Sequence, residues 1–407
     1  MTIQTSHVGV GTMRKSRGLK LAFLVCLGLA WVATAGAQTV PGVTEKEIVI
    51  GSCAALEGPS QFLGRETVRG AEAYFQMVND EGGINGRKLR LVSFNDDYDP
   101  EKAQGCWDKL MQEKPFALGF FVGTPTAVKY VPLAEKSQIP IVGLFTGAQT
   151  LYVPLRHWVI NVRASYFDEA REQVDGLWKV LQYRKIGVIY PDDPFGSAVL
   201  SGVQAALTAD GGAPVAAASY VRQTSQVGSA IDQVRAANPD AVIVVGPSNT
   251  VAPILQQAHQ KGWHPLFLTV SFVGTDDLIQ QAGADANGMV ITQVVPPYYM
   301  TDLKTVALYR RTMLKYAPSV KPNFVSLEGF VDAMVMVEGM KKAGRDLTRE
   351  GLIRAIESLH DWDAGLGAEL RLDYSAKDHK GFHHVNPTVV RSGRVVPFTD
   401  WTVVPAK

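Results

Sequence analysis

The chain has 407 residues, 46% of them hydrophobic, with 40 Lys/Arg against 39 Asp/Glu and a formal net charge of +1. So even a balance offers no positive field to a polyanion, and no nucleic-acid partner is expected. The length exceeds what one ordinary core holds, which makes two domains the starting expectation.

The first residues read as an address. Arg14, Lys15, Arg17 and Lys20 precede an apolar run from Leu21 to Val32, too short to span a membrane, and Ala35-Gly36-Ala37 supplies a small-x-small cleavage signal. Residues 1–37 are expected to be a signal peptide, cleaved near Ala37-Gln38, with the mature chain delivered to the periplasm. These residues carry four Lys/Arg and no Asp/Glu, so the mature balance becomes 36 basic against 39 acidic side chains. Two cysteines remain, Cys53 and Cys106. An oxidising compartment favours a disulfide, but spacing alone does not bring their Cα atoms within reach, so a bridge and two buried thiols stay equally open.

Ile48-Val49-Ile50 has the length of a buried parallel strand. After Gly58-Pro59-Ser60, Val68, Ala71, Phe75 and Val78 form one apolar stripe at helical period, and Gly82-Gly83 stops the helix. Leu89, Leu91, Val92 and Phe94 give a second strand, and Asp99-Pro100 predicts a helix start with Asp99 as cap. Buried strands are predicted over Phe116–Val122 and Ile139–Val142. They deliver the polar loops Gly123-Thr124-Pro125-Thr126 and Phe145-Thr146-Gly147-Ala148. At Lys185 the pattern restarts: strand 186–190, loop 191–196, helix Ser197 to Ala209, Gly211-Gly212, then strand 215–220. Strands 241–245 and 266–269 follow, the second running on to Ser271-Phe272. Beyond Pro297 come three helices (304–317, 324–343, 348–359), then short strands over 370–404.

This repetition predicts an α/β protein of two doubly wound, Rossmann-like lobes joined by three hinge crossings, near Ile160–Arg163, Val294–Pro297 and Leu366–Leu372. The expected lobes are 42–162 plus 297–368, and 163–296 plus 369–405. Ligands of open parallel sheets sit at the carboxyl ends of the strands. Thr124, Thr126 and Thr146, with amides at Gly123 and Gly147, are candidate anchors there. Phe62, Tyr166, Phe195 and Phe272 are candidate walls for an organic ligand. The G-x-S-x-G elbow, P-loop, H-E-x-x-H and C-x-x-C motifs are absent, so no enzyme activity and no cofactor are expected. The tract from Asp378 to His384 has metal-binding residue types, but a solvated turn explains it more simply and no metal site is assigned.

The stretch GPSQFLGRETVRGAEAYFQMVNDEGGINGRKLRLVSFNDDYDPEKA resembles the start of the periplasmic solute-binding proteins of the leucine/isoleucine/valine class of ABC importers. IPIVGLFTGA, NVRASYFDEA, VIYPDDPFGSAVLSGVQAAL, PDAVIVVGPSN and YSAKDHKGF extend the resemblance over nearly the whole mature chain. It implies a type I periplasmic binding protein fold that closes on its ligand, and a monomer delivering a small solute to an ABC permease. The alternative is a ligand sensor coupled to a signalling protein. It further implies that Gly123-Thr124 and Phe145-Thr146-Gly147 hold a carboxylate, with side-chain contacts from Phe62, Leu63, Phe195 and Pro247. The family's glutamate for an α-ammonium falls on Ser271. An amino-acid ligand would then need Asp168 or Glu57 in its place, so a carboxylate or amide without an α-amino group is expected.

Overall fold

The computed structural model describes residues 40–404, so the expected signal peptide lies outside the described residues. Two parallel-rich sheets organise the chain, wound in the same order. In the first, β1 (Glu47–Ala54), β2 (Lys88–Asn95), β3 (Ala117–Gly119), β4 (Ile141–Val142) and β5 (Val159–Ile160) lie as β2-β1-β3-β4-β5, all parallel. In the second, β6 (Ile186–Pro191), β7 (Ala216–Tyr220), β8 (Ala241–Val244), β9 (Leu266–Thr269) and β10 (Val290–Gln293) repeat that order as β7-β6-β8-β9-β10. An antiparallel hairpin, β11 (Asn386–Arg391) and β12 (Arg394–Pro397), extends the β10 edge. Its turn uses Ser392 and Gly393 at φ 49° and 70°, the left-handed pair a two-residue hairpin requires.

Helices α1 (Gln61–Asp80), α2 (Ala103–Gln112) and α3 (Thr124–Ser137) connect strands of the first sheet. Helix α4 (Tyr166–Val174) leads into the second, which is served by α5 (Pro194–Ala209), α6 (Gly228–Ala236), α7 (Ser248–Gln260) and α8 (Thr275–Ala282). Helices α9 (Lys304–Tyr316), α10 (Phe324–Ala343) and α11 (Arg349–Glu357) return to the first core. Because helices cover both faces, central strands such as β8 are buried throughout and read as unbroken apolar runs. Helix α10 lies tight on α1: Gly70 meets the Ser326 carbonyl and Gly329 the Thr67 carbonyl, where no Cβ fits.

Several element starts differ from the sequence reading, for local reasons. Helix α2 begins at Ala103, because Asp99 Oδ1 accepts from the Glu101 amide at 3.0 Å and closes a turn instead of capping the helix. Helix α3 begins at Thr124, so Gly123–Thr126 is a helix start rather than a loop. Helix α5 starts at Pro194, capped by Asp193 Oδ1 accepting from Gly196 N at 2.9 Å. The run Phe116–Val122 is interrupted as a strand after β3, because Phe120 takes a left-handed φ of 63°, and pairing resumes only as a single bridge from Val122 to Phe145. His379 is not in a solvated turn. It is buried, with Nε2 3.0 Å from Glu357 and Nδ1 3.0 Å from the Val159 carbonyl. Among the described residues no group of His, Cys, Asp and Glu is arranged to hold a metal, and no helix is long and apolar enough to cross a membrane.

The chain passes between the sheets three times, and Ala164, Val294 and Val385, one from each passage, pack together. The third passage comes later than 366–372. Leu366, Leu370, Leu372 and Phe382 are buried in the core of α9–α11, and the 379–382 segment hydrogen-bonds to 161–162 before the chain leaves. Cys53 and Cys106 are bonded as a disulfide, Cα atoms 6.2 Å apart, fastening the end of β1 to α2.

Candidate functional site

In the first sheet the order reverses at β1, which lies between β2 and β3, and a crevice opens beyond the strand ends at such a point. The loops there meet those of the second sheet, and Phe272, just past β9, stands at the centre of a ring cluster between them. Its ring lies 4.6 Å from Phe195, 5.6 Å from Phe145 and 5.7 Å from Tyr98, while Tyr166 stands 5.3 Å from Phe195. All five rings are buried, and they come from both sheets. Phe62 and Leu63, in the first turn of α1, lie against Gly274 of the loop that carries Phe272.

Among these rings the first-sheet ends place two buried hydroxyls face to face, Thr124 Oγ1 and Thr146 Oγ1, 2.7 Å apart. One of the two hydroxyls donates to the other, and the Tyr166 hydroxyl stands beside Thr146. Gly123, at φ 88°, lets the chain pass under Tyr98, whose ring occupies the space a Cβ would need. The Gly147 carbonyl accepts from the Tyr166 amide at 2.7 Å, and so fixes Tyr166 at the head of α4. Thr126 does not join the pair, since its hydroxyl donates to the Val122 carbonyl at 2.5 Å. Pro247 caps α7, its carbonyl accepting from the Thr250 and Val251 amides. Ser271 belongs to the polar floor described next.

Arg163, on the first passage, was not singled out by sequence reasoning, yet it is the largest fully buried side chain of the site. Its guanidinium lies 5.5 Å from the centres of both Phe145 and Tyr166. It donates to Glu169 at 2.9 Å, Glu328 at 3.1 Å and Ser271 Oγ. Burial pulls Arg163 down, but Glu328 and Glu169 hold it above its ordinary value. Glu169 also accepts from the Ser271 amide at 2.7 Å and Thr292 Oγ1 at 2.6 Å, so it is the acid best equipped to stay ionised. Burial pushes Glu328 up to about 7 despite Arg163, and drives Asp332 well above the carboxylate range. The floor is therefore one arginine shared between Glu169 and Glu328, with burial pushing up both of those acids and Asp332 well above the carboxylate range. Asp168 is committed elsewhere: it caps α4 through Ser165 and pairs with Lys380 at 2.9 Å.

Tyr98 was missed as well. Asp97 and Tyr98 both hold left-handed φ, 54° and 57°, which ordinary side chains avoid. Asp96 imposes the shape, accepting from the Tyr98 amide at 2.9 Å and from Tyr130 Oη at 2.9 Å. Tyr98 Oη is buried without a hydrogen-bond partner among the described residues. From the second sheet, Arg222 donates to the Tyr98 carbonyl at 2.7 Å and stacks on its ring at 4.9 Å. The acidic run Asn95-Asp96-Asp97-Tyr98-Asp99 after a strand was the available signal.

Burial pushes the Asp96 carboxyl up to about 6. Its contribution to stability is full below about pH 4, where the unfolded chain is also protonated, and drains away as pH climbs through about 6. Asp96→Asn keeps an acceptor for the Tyr98 amide and turns its own N–H to donate to Tyr130 Oη, without the ionisation. Relative to wild type it should gain about 2–3 kcal/mol between pH 4 and pH 8 in urea denaturation. A difference that stays constant with pH would refute this.

Comparison with known proteins agrees with this architecture. The family description for periplasmic binding proteins matches residues 47–394. An amino acid binding protein of Pseudomonas aeruginosa is 26% identical over 267 residues, covering 64% of this chain and 70% of that protein. Leu/Ile/Val-binding protein homolog 7 of Brucella abortus is 25% identical over 329 residues, 76% of this chain and 81% of that one. Among solved structures, a possible leucine/isoleucine/valine-binding protein from Rhodopirellula baltica superposes with a TM-score of 0.84 at 30% identity, over 90% of this chain and 99% of that one.

Proposed function

The chain belongs to the periplasmic binding protein family, and from that premise we propose that it is the solute-binding component of an ABC importer, exported and non-catalytic. The two sheets with their helices are its lobes, and the crevice between their strand ends takes a small organic carboxylate or amide. One observation carries this reading: a buried hydroxyl pair from two strand ends, Thr124 and Thr146, enclosed by aromatic rings from both sheets. The threonine hydroxyls and the unpartnered Tyr98 Oη supply polar groups for ligand oxygens, and the rings suit a flat or branched apolar body.

The polar floor supports a ligand without an α-ammonium. A buried ammonium needs an ionised carboxylate beside it, because its desolvation costs several kcal/mol. Arg163 already occupies Glu169 and Ser271, Lys380 occupies Asp168, and Glu57 is exposed.

The test is a thermal-shift screen of refolded, ligand-stripped protein against amino acids, their deaminated acids, amides and aromatic acids. A true ligand at a hundredfold over its Kd adds about 2.7 kcal/mol to the folded state. Calorimetry on the hits should then show Thr124→Ala and Thr146→Ala each weakening binding by about 1.5–3 kcal/mol, roughly ten- to hundredfold in Kd. Micromolar binding of leucine, isoleucine or valine, with none of the deaminated acids, would overturn the ligand class. Unaltered affinity in both threonine variants would overturn the anchor.

A further inference from the structure

We propose that a groove outside the ring cluster is a second binding site, for a small amphipathic organic anion. It has a volume of about 1160 Å³, ample for a small organic molecule. One wall is α1 with the 319–323 segment ahead of α10, the other is α8 with β12, and Tyr298 and Tyr299 form the back. It therefore lies between parts belonging to different sheets, and of the aromatic residues of the first site only Phe62 lines it.

The walls are apolar and partly open. Tyr299 and Val396 are exposed at 41% and 37%, high for residues of their size facing a concave surface. The tyrosines are held rather than loose: Tyr298 Oη donates to Asp276 at 2.7 Å, Tyr299 Oη to the Val395 carbonyl at 2.7 Å, and their rings stand 5.5 Å apart. That geometry offers aromatic faces and edges to a flat or branched apolar group.

The charge leans positive once the Glu66–Arg69 pair is discounted, with Lys321 and Arg394 against the single carboxyl of Asp276. Glu66 accepts from Arg69 and Asn323 at 2.7 Å each, and Asp276 takes the Tyr298 hydroxyl on one oxygen and the Phe324 amide on the other. Glu66 is thus paired with a cation, while Asp276 turns both its oxygens to neutral donors of the wall. Lys321 and Arg394 are exposed on opposite walls, and neither has an acidic partner among the described residues. Two unpaired cations facing across an aromatic trough select an anion with an apolar body. A cation or a peptide rich in Lys and Arg would be repelled.

The probe is 8-anilinonaphthalene-1-sulfonate, with uncharged N-phenyl-1-naphthylamine as control, titrated into the folded full-length protein and followed by fluorescence. The sulfonate should bind saturably at one site and more tightly than the neutral amine. Lys321→Gln/Arg394→Gln should weaken it by about tenfold and leave the amine unchanged. Thr124→Ala/Thr146→Ala, confined to the ring cluster, should leave the sulfonate unchanged. The proposal is overturned if binding is unsaturable, if the charge variant binds like wild type, or if the threonine variant loses the probe. The last result would place it in the first site, and circular dichroism confirms that each variant is folded. Because the two variant pairs are independent, failure here leaves the importer reading standing, and the reverse also holds.

Discussion

Arg163→Met is expected to destabilise the protein by about 3–5 kcal/mol, the usual cost of removing one partner from a buried ion pair. Arg163 is buried and joins Glu169, on α4, to Glu328, on α10. Without it Glu169, already pushed up by burial, keeps only its neutral donors from Ser271 and Thr292, so it must either carry an uncompensated charge or take up a proton in a site built for a carboxylate. The rings of Phe145 and Tyr166 also lose the group packed between them. Urea denaturation reads the effect as a lower midpoint with unchanged slope. Arg163→Lys should recover only part of it, because one ammonium cannot reproduce the two-armed contact to Glu169 and Glu328. Arg163→Met/Glu169→Met should be more stable than Arg163→Met alone, since the orphaned acid is gone. An Arg163→Met variant within 1 kcal/mol of wild type would show that the cluster carries no such burden.

Loss of the Cys53–Cys106 bond should cost a similar amount by a different route. The bond closes a loop spanning 53 positions, and in the chain-entropy model such a crosslink contributes about 4 kcal/mol by restricting the unfolded chain. Both cysteines are buried, so the folded protein should resist mild reductant, and the effect should appear when unfolding is followed with reductant present. Cys53→Ser/Cys106→Ser should match the reduced wild type, and reductant should not shift the variant. Equal midpoints for oxidised and reduced wild type would contradict the expectation. Because the loop includes Tyr98 and its left-handed neighbour, the variant also tests whether the bond helps hold that strained turn.

The architecture was legible in the sequence. Apolar runs with period-3.6 stripes between them specify covered parallel strands, and their repetition after Lys185 foretold a second sheet wound like the first. Polar, aromatic strand ends such as Gly123-Thr124 and Phe145-Thr146 were readable as neighbours at one sheet edge because they recur at the same place in each unit, and the structure brings Thr124 and Thr146 together. Such patterns are local: they record which face of an element is buried, not which distant element covers it. It took the folded chain to show that Thr124 faces Thr146 while Thr126 turns back on the residues just before its helix, and that Phe272 meets three rings from separate parts of the sequence. The same holds for Arg163, which in sequence is a lone arginine between two apolar residues. Its meaning comes from Glu328, 165 positions away, brought beside it by the chain's return into the first core. A buried charge is tolerated only where its partners converge. That convergence is set by the passages between the sheets, which no local periodicity encodes.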